Sequence, residues 1–263
     1  MPELPEVETI RQQLSPWLCG QVVQKAHSHS SLKFRPALDI VGAEFISIKR
    51  RGKFLIFQLN DAREMIVHLG MTGQLLQAVD LNDPYIRAWW LLDTGDRLGY
   101  RDVRRFGRIQ VVRCGAYRGT LAMLGPEPFS QEFTAESLWK TVRSSSRCLK
   151  TQLLSQRPVA GIGNIYADEA CFIAGVHPAS RRLSRQRATN LHKAIVDVLQ
   201  QGIDNGGTTL RDYSHVTGQP GKNQSHLYCY GRAGQPCVVC KTELHRIMLD
   251  ARSTTFCPNC QKR

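Results

Sequence analysis

The chain has no apolar run of about 18 residues, which excludes a membrane-spanning helix. Its first residues are acidic rather than apolar, so no secretory signal is expected, and the expected compartment is the cytoplasm with the nucleoid inside it. Acidic side chains are in short supply: 22 Asp and Glu face 35 Lys and Arg, leaving a formal net charge of +13. That deficit points to a polyanionic partner, nucleic acid ahead of an acidic membrane surface. No internal repeat is present, and the nine cysteines do not follow a secreted disulfide framework. A single N-x-S sequon, at Asn223, is read as chance in such a chain.

What the sequence does contain is 42% hydrophobic residues over 263 positions, enough for one large domain or two ordinary ones. A helix is predicted at the start. Pro5 suits its first turn, Glu6 and Glu8 suit the positive end of its dipole, Val7, Ile10, Leu14 and Trp17 share a face, and Gly20 stops the run. Over residues 21–125, short β-branched and aromatic runs (GKFLIFQL, EMIVHLG, AWWLLDTG, RLGYRD, RIQVV) alternate with turn residues, which predicts a sandwich or barrel. GPEPFSQEFT (125–134) reads as a linker and domain boundary. Helical patterns follow in AESLWKTVRS, LKTQLLSQ, NIYADEACFIAG and SRQRATNLHKAIVDVLQQGI, then a polar, glycine-bearing stretch from Gly206 to Ser225.

The most specific spacing is C-x2-C-x16-C-x2-C, formed by Cys237, Cys240, Cys257 and Cys260. Four thiolates at that spacing suit one tetrahedral zinc, structural because no coordination position is left open. KTELHRIMLDARSTTF between the pairs alternates as a β-hairpin whose folding energy the metal would supply. Arg252 and Ser253 are expected in its turn, either solvated or touching phosphate or base edges. Cys19, Cys114, Cys148, Cys171 and Cys229 are read as buried or half-buried thiols without a function.

Other motifs leave two readings open. In GIGNIYADEA, Asn164 opens a helix whose first N–H groups suit an anion, or it simply caps that helix. A dinucleotide fingerprint is excluded, because no strand precedes and the third glycine is missing. HLGMTG (68–73) and RDVRRFG (101–107) are expected loops. Their apolar Met71 and Phe106, beside Arg104 and Arg105, are either core residues or wedges for a base stack. Lys53, in RRGKF, is a surface lysine or a phosphate contact. Pro2, once Met1 is removed, presents a secondary amine with a pKa near ~7.7–8.0 against ~10.4 for lysine. Such an amine adds to a masked aldehyde to give an iminium electron sink, and the adjacent Glu3 is placed to move protons. The ordinary alternative is that proline is a common second residue.

These pieces occur in a fixed order: MPELPEVETIR, RRGK, HLGMTG, DVRRFGR, LGPEPFS, LLSQRPVAGIGNIYADEA, GVHP, GGTTLRDY and YGRAGQPC…RSTTFCPNCQ. From Met1 to Gln261 the chain closely resembles the formamidopyrimidine-DNA glycosylase and endonuclease VIII family of DNA-repair enzymes. The resemblance implies an α+β chain of two domains. An N-terminal β-sandwich with an N-terminal helix spans 1–128, and a helix–two-turns–helix region with a lesion-capping loop spans 129–228. A β-hairpin zinc finger spans 229–263, and DNA crosses between the domains. It implies Pro2 as nucleophile at C1′, Glu3 as proton donor at the deoxyribose, and Glu6 in support. Lys53, counted with the catalytic residues, would contact the lesion or its phosphate, and Asn164 and Arg252 the flanking phosphates. Met71, Arg104 and Phe106 would fill the gap left by the extruded base, with His68, Arg105 and Tyr166 as further DNA contacts. One structural zinc, a monomer, and duplex DNA with oxidised or abasic nucleotides complete the expectation.

The chain departs from the family pattern in three places. It has Ser155 where an aspartate is usual and Val103 where a proline is usual. It reads Gly221, Lys222, Asn223 where many members have Gly-Tyr-Phe, in the loop that closes over the flipped base in the 8-oxoguanine enzymes. Oxidised purines, 8-oxoguanine and formamidopyrimidines, are the expected substrates, because MPELPEVET and RSTTFCPNCQ look closer to that branch. An enzyme preferring oxidised pyrimidines and a non-catalytic zinc DNA-binding protein are the alternatives.

Overall fold

Helix α1 (Leu4–Leu18) starts where the sequence placed it, with proline in its first turn and the Glu6 carboxylate accepting the backbone N–H of Glu3 at 2.8 Å. Val7, Ile10, Leu14 and Leu18 form its buried stripe. Trp17, expected in that stripe, is only part-buried and donates its indole N–H to Asp96 at 3.3 Å; Leu18 takes its place. Gly20, at φ +88°, ends the run in the left-handed region.

These features come from a computed structural model that describes residues 1–210 and 212–263. Arg211, within GGTTLRDY, lies outside the described residues. The chain divides into two units, Met1–Ala122 with Ile203–Gln224, and Met123–Gly202 with Ser225–Arg263. The span 129–228 drawn from sequence is therefore divided by packing, and residues 229–263 pack with the preceding helices. No described helix is long and apolar enough to cross a membrane.

In the first unit the strands are β1 (Val23–Ser28), β2 (Phe45–Arg51), β3 (Phe54–Leu59), β4 (Arg63–His68), β5 (Gly73–Leu76), β6 (Ile86–Leu92), β7 (Arg97–Asp102) and β8 (Arg108–Arg113). They form two antiparallel four-stranded sheets, ordered β1-β6-β7-β5 and β2-β3-β4-β8. Trp90, Leu98 and Tyr100 from one sheet and Phe45, Phe57 and Val67 from the other share one core with the stripe of α1. This is the expected sandwich. Tyr213 and Val216, far along the chain, belong to the same core, and Gln77 N–H donates to Val216 O at 3.1 Å.

The second unit carries α2 (Ala135–Arg143), α3 (Leu149–Leu154), α4 (Asn164–Ile173), all but the last two residues of α5 (Arg185–Asp204), and the hairpin β9 (His245–Leu249) and β10 (Arg252–Phe256). Thr134 and Ser137 cap α2 reciprocally, Ser137 N to Thr134 Oγ1 at 3.0 Å and Thr134 N to Ser137 Oγ at 2.9 Å. The stretch 125–134, read as a linker, is docked instead. Gly125 N–H donates to Gln156 O at 2.8 Å, and a Cβ on Gly125 would lie 2.0 Å from Arg157 O. Cys171 and Cys229 are buried as expected, whereas Cys19 and Cys114 are exposed. Asn223 of the sequon is buried, so it offers no glycosylation site.

An ion pair organises this unit. Lys150 and Asp168, 1% and 0% exposed, meet at 2.6 Å. Lys150 Nζ also donates to Ser253 O at 3.0 Å and to Thr254 Oγ1 at 2.9 Å, and Asp168 Oδ2 accepts from Thr255 N at 3.0 Å. The pair thus fastens β10 to α3 and α4. Removing one partner strands a buried charge. We expect Asp168→Ala to destabilise this unit by about 3–5 kcal/mol and Lys150→Met/Asp168→Leu to cost much less. Calorimetric unfolding of the two variants, compared with the parent chain, checks the order.

Candidate active site and metal centre

The first unit gathers three of the four expected catalytic residues at the start of α1, with Lys53 on a separate turn. Pro2, Glu3 and Glu6 are all buried at the start of α1, while Met1 is exposed. Both Glu6 oxygens accept from the backbone: Oε2 from Glu3 N at 2.8 Å and Oε1 from Thr208 N at 2.7 Å. Two N–H donors hold that carboxylate in one orientation. Residue 2 is therefore anchored from its own helix and from a segment near the other end of the chain.

Lys53 is buried in the turn between β2 and β3, after Gly52 at φ +55°. His68, at the end of β4, packs its ring on Phe54 at 4.7 Å. Burial first, then the Lys53 and Arg108 charges, push its pKa down to about 4. Its Nδ1 accepts from Gly70 N at 3.2 Å, so the neutral ring carries its proton on Nε2.

Met71 lies in the β4–β5 loop, and Arg104, Arg105 and Phe106 lie in the β7–β8 loop. Phe106 is 52% exposed, with the Arg104 guanidinium 4.8 Å from its ring centroid. The core reading therefore fails for Phe106. The two loops touch backbone to backbone: a Cβ on Gly70 would lie 2.5 Å from Gly107 N. Asp102, fully buried, braces both loops and carries no signal in the sequence that singles it out. It accepts from Thr72 Oγ1 at 2.6 Å and from Gly107 N at 2.8 Å, and Thr72 Oγ1 accepts from Arg104 N at 3.0 Å.

In the second unit Asn164 is the first residue of α4, and Gly163 holds the cap position, so the capping reading of Asn164 is corrected. Its side chain donates instead to Ser253 O at 3.2 Å and to Tyr230 Oη at 3.3 Å. Ser253 O thus accepts from Asn164 and Lys150 together. Tyr230, which sequence reasoning passed over, joins this cluster beside Arg252. Arg252 is exposed on the first residue of β10; the turn before it is Asp250-Ala251, at φ +45° and +59°, not Arg252-Ser253. Tyr166 is 1% exposed, its ring pressed on Gly202 of α5, where a Cβ would lie 2.6 Å from its hydroxyl. Burial makes it a packing residue, and the expectation of a DNA contact is not carried by its placement.

The four cysteines converge around the base of the hairpin. Their sulfurs all lie within 4.8 Å of one another, with Cys237 to Cys260 at 3.9 Å and Cys240 to Cys257 at 3.5 Å. Four thiolates at ~2.3 Å from one tetrahedral zinc would stand about 3.8 Å apart, so the donor set fits zinc and leaves no position open. Gln261 secures the second pair, accepting from Cys257 N at 2.7 Å and donating to Val176 O at 3.0 Å.

Comparison with known proteins finds relatives over the whole length of the chain. Residues 1–109 match the formamidopyrimidine-DNA glycosylase N-terminal domain, residues 124–214 its H2TH domain, and residues 234–263 the zinc finger found in FPG and IleRS. Formamidopyrimidine-DNA glycosylase of Bacillus licheniformis is 39% identical over 276 residues, covering 100% of both chains. The crystal structure of MutM (Fpg) from Thermus thermophilus superposes with a TM-score of 0.93 at 41% identity, covering 99% of this chain and 98% of that one. The chain belongs to the formamidopyrimidine-DNA glycosylase family. A Lactococcus lactis Fpg variant solved with Fapy-dG-containing DNA superposes with a TM-score of 0.91 at 32% identity, each chain covered in full. The family's zinc finger is present here with its four ligands, and one structural zinc is its cofactor.

Two outcomes follow from this chemistry. Native mass spectrometry should find one zinc per chain. Chelation at raised temperature should free four thiols and speed amide exchange in β9 and β10 while leaving exchange in β3 and β4 unchanged. His68 has a folded pKa of about 4, below its ordinary 6.5. The unfolded chain therefore binds the proton first as pH falls, and the stability from the neutral ring, full above pH 6.5, is lost between 6.5 and 4. Thermal unfolding of His68→Gln should accordingly fall less between pH 7 and pH 5 than that of the parent chain.

Proposed function

We propose that the chain is a bifunctional DNA glycosylase and abasic-site lyase of base excision repair, acting on oxidised purines through the amine of Pro2. The observation that carries this reading is the buried, doubly anchored start of α1. A chain terminus is ordinarily frayed; here Pro2 and Glu3 are buried and Glu6 ties them in place.

The chemistry runs on this chain's own groups. Removal of exposed Met1 frees the Pro2 secondary amine, a fraction of which is neutral near pH 7. Its lone pair forms a bond to C1′ as the C1′–N bond to the oxidised base breaks, and the base leaves with the bonding pair and takes up the proton that the amine nitrogen sheds. Glu3 gives a proton to the ring oxygen, so the sugar opens and an iminium joins Pro2 to C1′. That cation acidifies the C2′ hydrogens. Loss of one expels the 3′ phosphate, a second elimination expels the 5′ phosphate, and water releases the amine. Extruding the lesion costs a few kcal/mol, offset by Phe106, Arg104 and Met71 in the vacated stack. Lys53, His68 and Arg105 border the same loops, and Asn164 and Arg252 take flanking phosphates. Zinc contributes structure only. We assign the sandwich chemistry to residues 1–128, duplex binding to 129–228 and the finger to 229–263, in an enzyme working on the nucleoid in the cytoplasm.

The absence of aromatic residues at Lys222 and Asn223 favours testing one second reading, a preference for oxidised pyrimidines. Cleavage of thymine glycol much faster than 8-oxoguanine opposite cytosine would reverse the substrate order. For the mechanism, borohydride should trap the chain on an abasic duplex with the adduct on residue 2. Pro2→Gly or a retained N-terminal extension should slow trapping more than about a hundredfold. Undiminished trapping of the extended chain, or an adduct on a lysine, would contradict it. Glu3→Gln should lower strand cleavage by about 10²–10⁴ with duplex affinity kept.

A further inference from the structure

Asn223 stands where many members of the family carry an aromatic residue, yet it is 2% exposed. Its groups are engaged inward. Nδ2 donates to Thr208 Oγ1 at 2.9 Å, Oδ1 accepts from Asn205 Nδ2 at 3.2 Å, and its backbone N donates to Gly207 O at 3.1 Å. Thr208 is the residue whose own N–H reaches Glu6 Oε1 at 2.7 Å.

Glycines let these three layers press together. A Cβ on Gly221 would lie 2.2 Å from Gly207 O, and one on Gly207 would lie 3.0 Å from Glu6 Cγ. Gly206 and Gly207 have φ of +67° and +83°, a backbone that brings Thr208 N to Glu6 and that L side chains resist. Gly221 N donates to Thr209 Oγ1 and Lys222 N to Asn205 O, each at 2.9 Å, which closes the loop onto the same segment.

We infer that Asn223 is a positioning residue for the chemistry at Pro2: its amide holds Thr208, Thr208 N–H holds Glu6, and Glu6 holds the backbone N of Glu3. The inference rests on the reading of Pro2 as nucleophile. An aromatic ring at this position would offer Thr208 no hydrogen bond. In this chain the loop expected to act on the flipped base therefore acts on the amine as well, and its influence reaches substrates that have no base.

An abasic duplex separates the two roles, because it leaves nothing for the loop to cover. Asn223→Leu and Thr208→Val should each slow borohydride trapping and single-turnover cleavage of that duplex at least about tenfold. Affinity for an uncleavable abasic analogue should stay within about twofold, and the double variant should be no slower than the slower single, as expected for one line of contact. Asn223→Asp should recover most of the rate, since its carboxylate can accept from Thr208 Oγ–H and from Asn205. Thermal unfolding verifies that each variant is folded; should Asn223→Leu not accumulate, Thr208→Val and Asn205→Leu read the same contacts. Wild-type trapping by Asn223→Leu on abasic DNA, multiplicative losses in the double variant, or loss of analogue affinity in step with rate would overturn the inference alone. No adduct from the parent chain would instead overturn the reading of Pro2, and the inference with it.

Discussion

A buried carboxylate with both oxygens on backbone N–H groups governs the first unit. Glu6 is 1% exposed, and leaving its two oxygens without donors there would cost more than the turn of helix around it gains. Its donors come from opposite ends of the unit, Glu3 N and Thr208 N. Leu4 and Val7 supply apolar burial on the same turn. Packing, charge satisfaction and order at residue 2 are thus a single requirement, and relaxing any of them relaxes the others.

The second unit meets a similar problem with a cation. Lys150 is buried among Asp168 Oδ1, Ser253 O and Thr254 Oγ1, and Glu169 beside it takes three backbone N–H groups, from Tyr228, Cys229 and Tyr230, at 2.7–2.9 Å. These contacts fix the chain where it enters the finger and again at β10 inside it. The finger needs them: β9 is largely exposed, and the buried face of the hairpin is little more than Thr254, Thr255 and Phe256. Too little apolar area is covered to fold such a hairpin unaided, so zinc and the Lys150–Asp168 pair supply what a core would. The result is a rigid mount for Arg252, Ser253, Asn164 and Tyr230.

What is legible in the sequence is whatever has a local period or a fixed spacing. Short β-branched and aromatic runs set between turn residues mark β3, β4, β6, β7 and β8, the 3.6-residue stripe marks α1 and α5, and two C-x-x-C pairs mark the metal site. What is illegible depends on partners far apart in the chain. Thr208 and Glu6 are 202 residues apart, and neither residue type announces the other. Asp102 reads as an ordinary strand end until its two loops are seen against it. Nothing in NIYADE distinguishes a tyrosine facing α5 from one facing solvent, so the packing role of Tyr166 has no local signature. The hairpin turn falls two residues earlier than expected because Asp250-Ala251 lacks the Asn-Gly signature of a turn with two positive φ angles. GPEPFSQEFT has linker composition, but its glycine serves close approach to Arg157 rather than freedom.

Phe106 shows why rigidity and exposure belong together. An exposed aromatic ring is unfavourable in water, and a mobile one would simply fold back onto apolar surface. Here Asp102, Thr72 and the Gly70–Gly107 contact prevent collapse, Arg105 turns the backbone at φ +55°, and Arg104 covers one face of the ring. A ring held this way has already lost the conformational entropy that a binding event would otherwise remove. In the proposed role its stacking energy is then available to offset unstacking of the lesion rather than ordering of the loop. The same reasoning applies to residue 2, held in place before any sugar arrives, so that most of the free energy of binding DNA can go into deforming the DNA and little into arranging the protein.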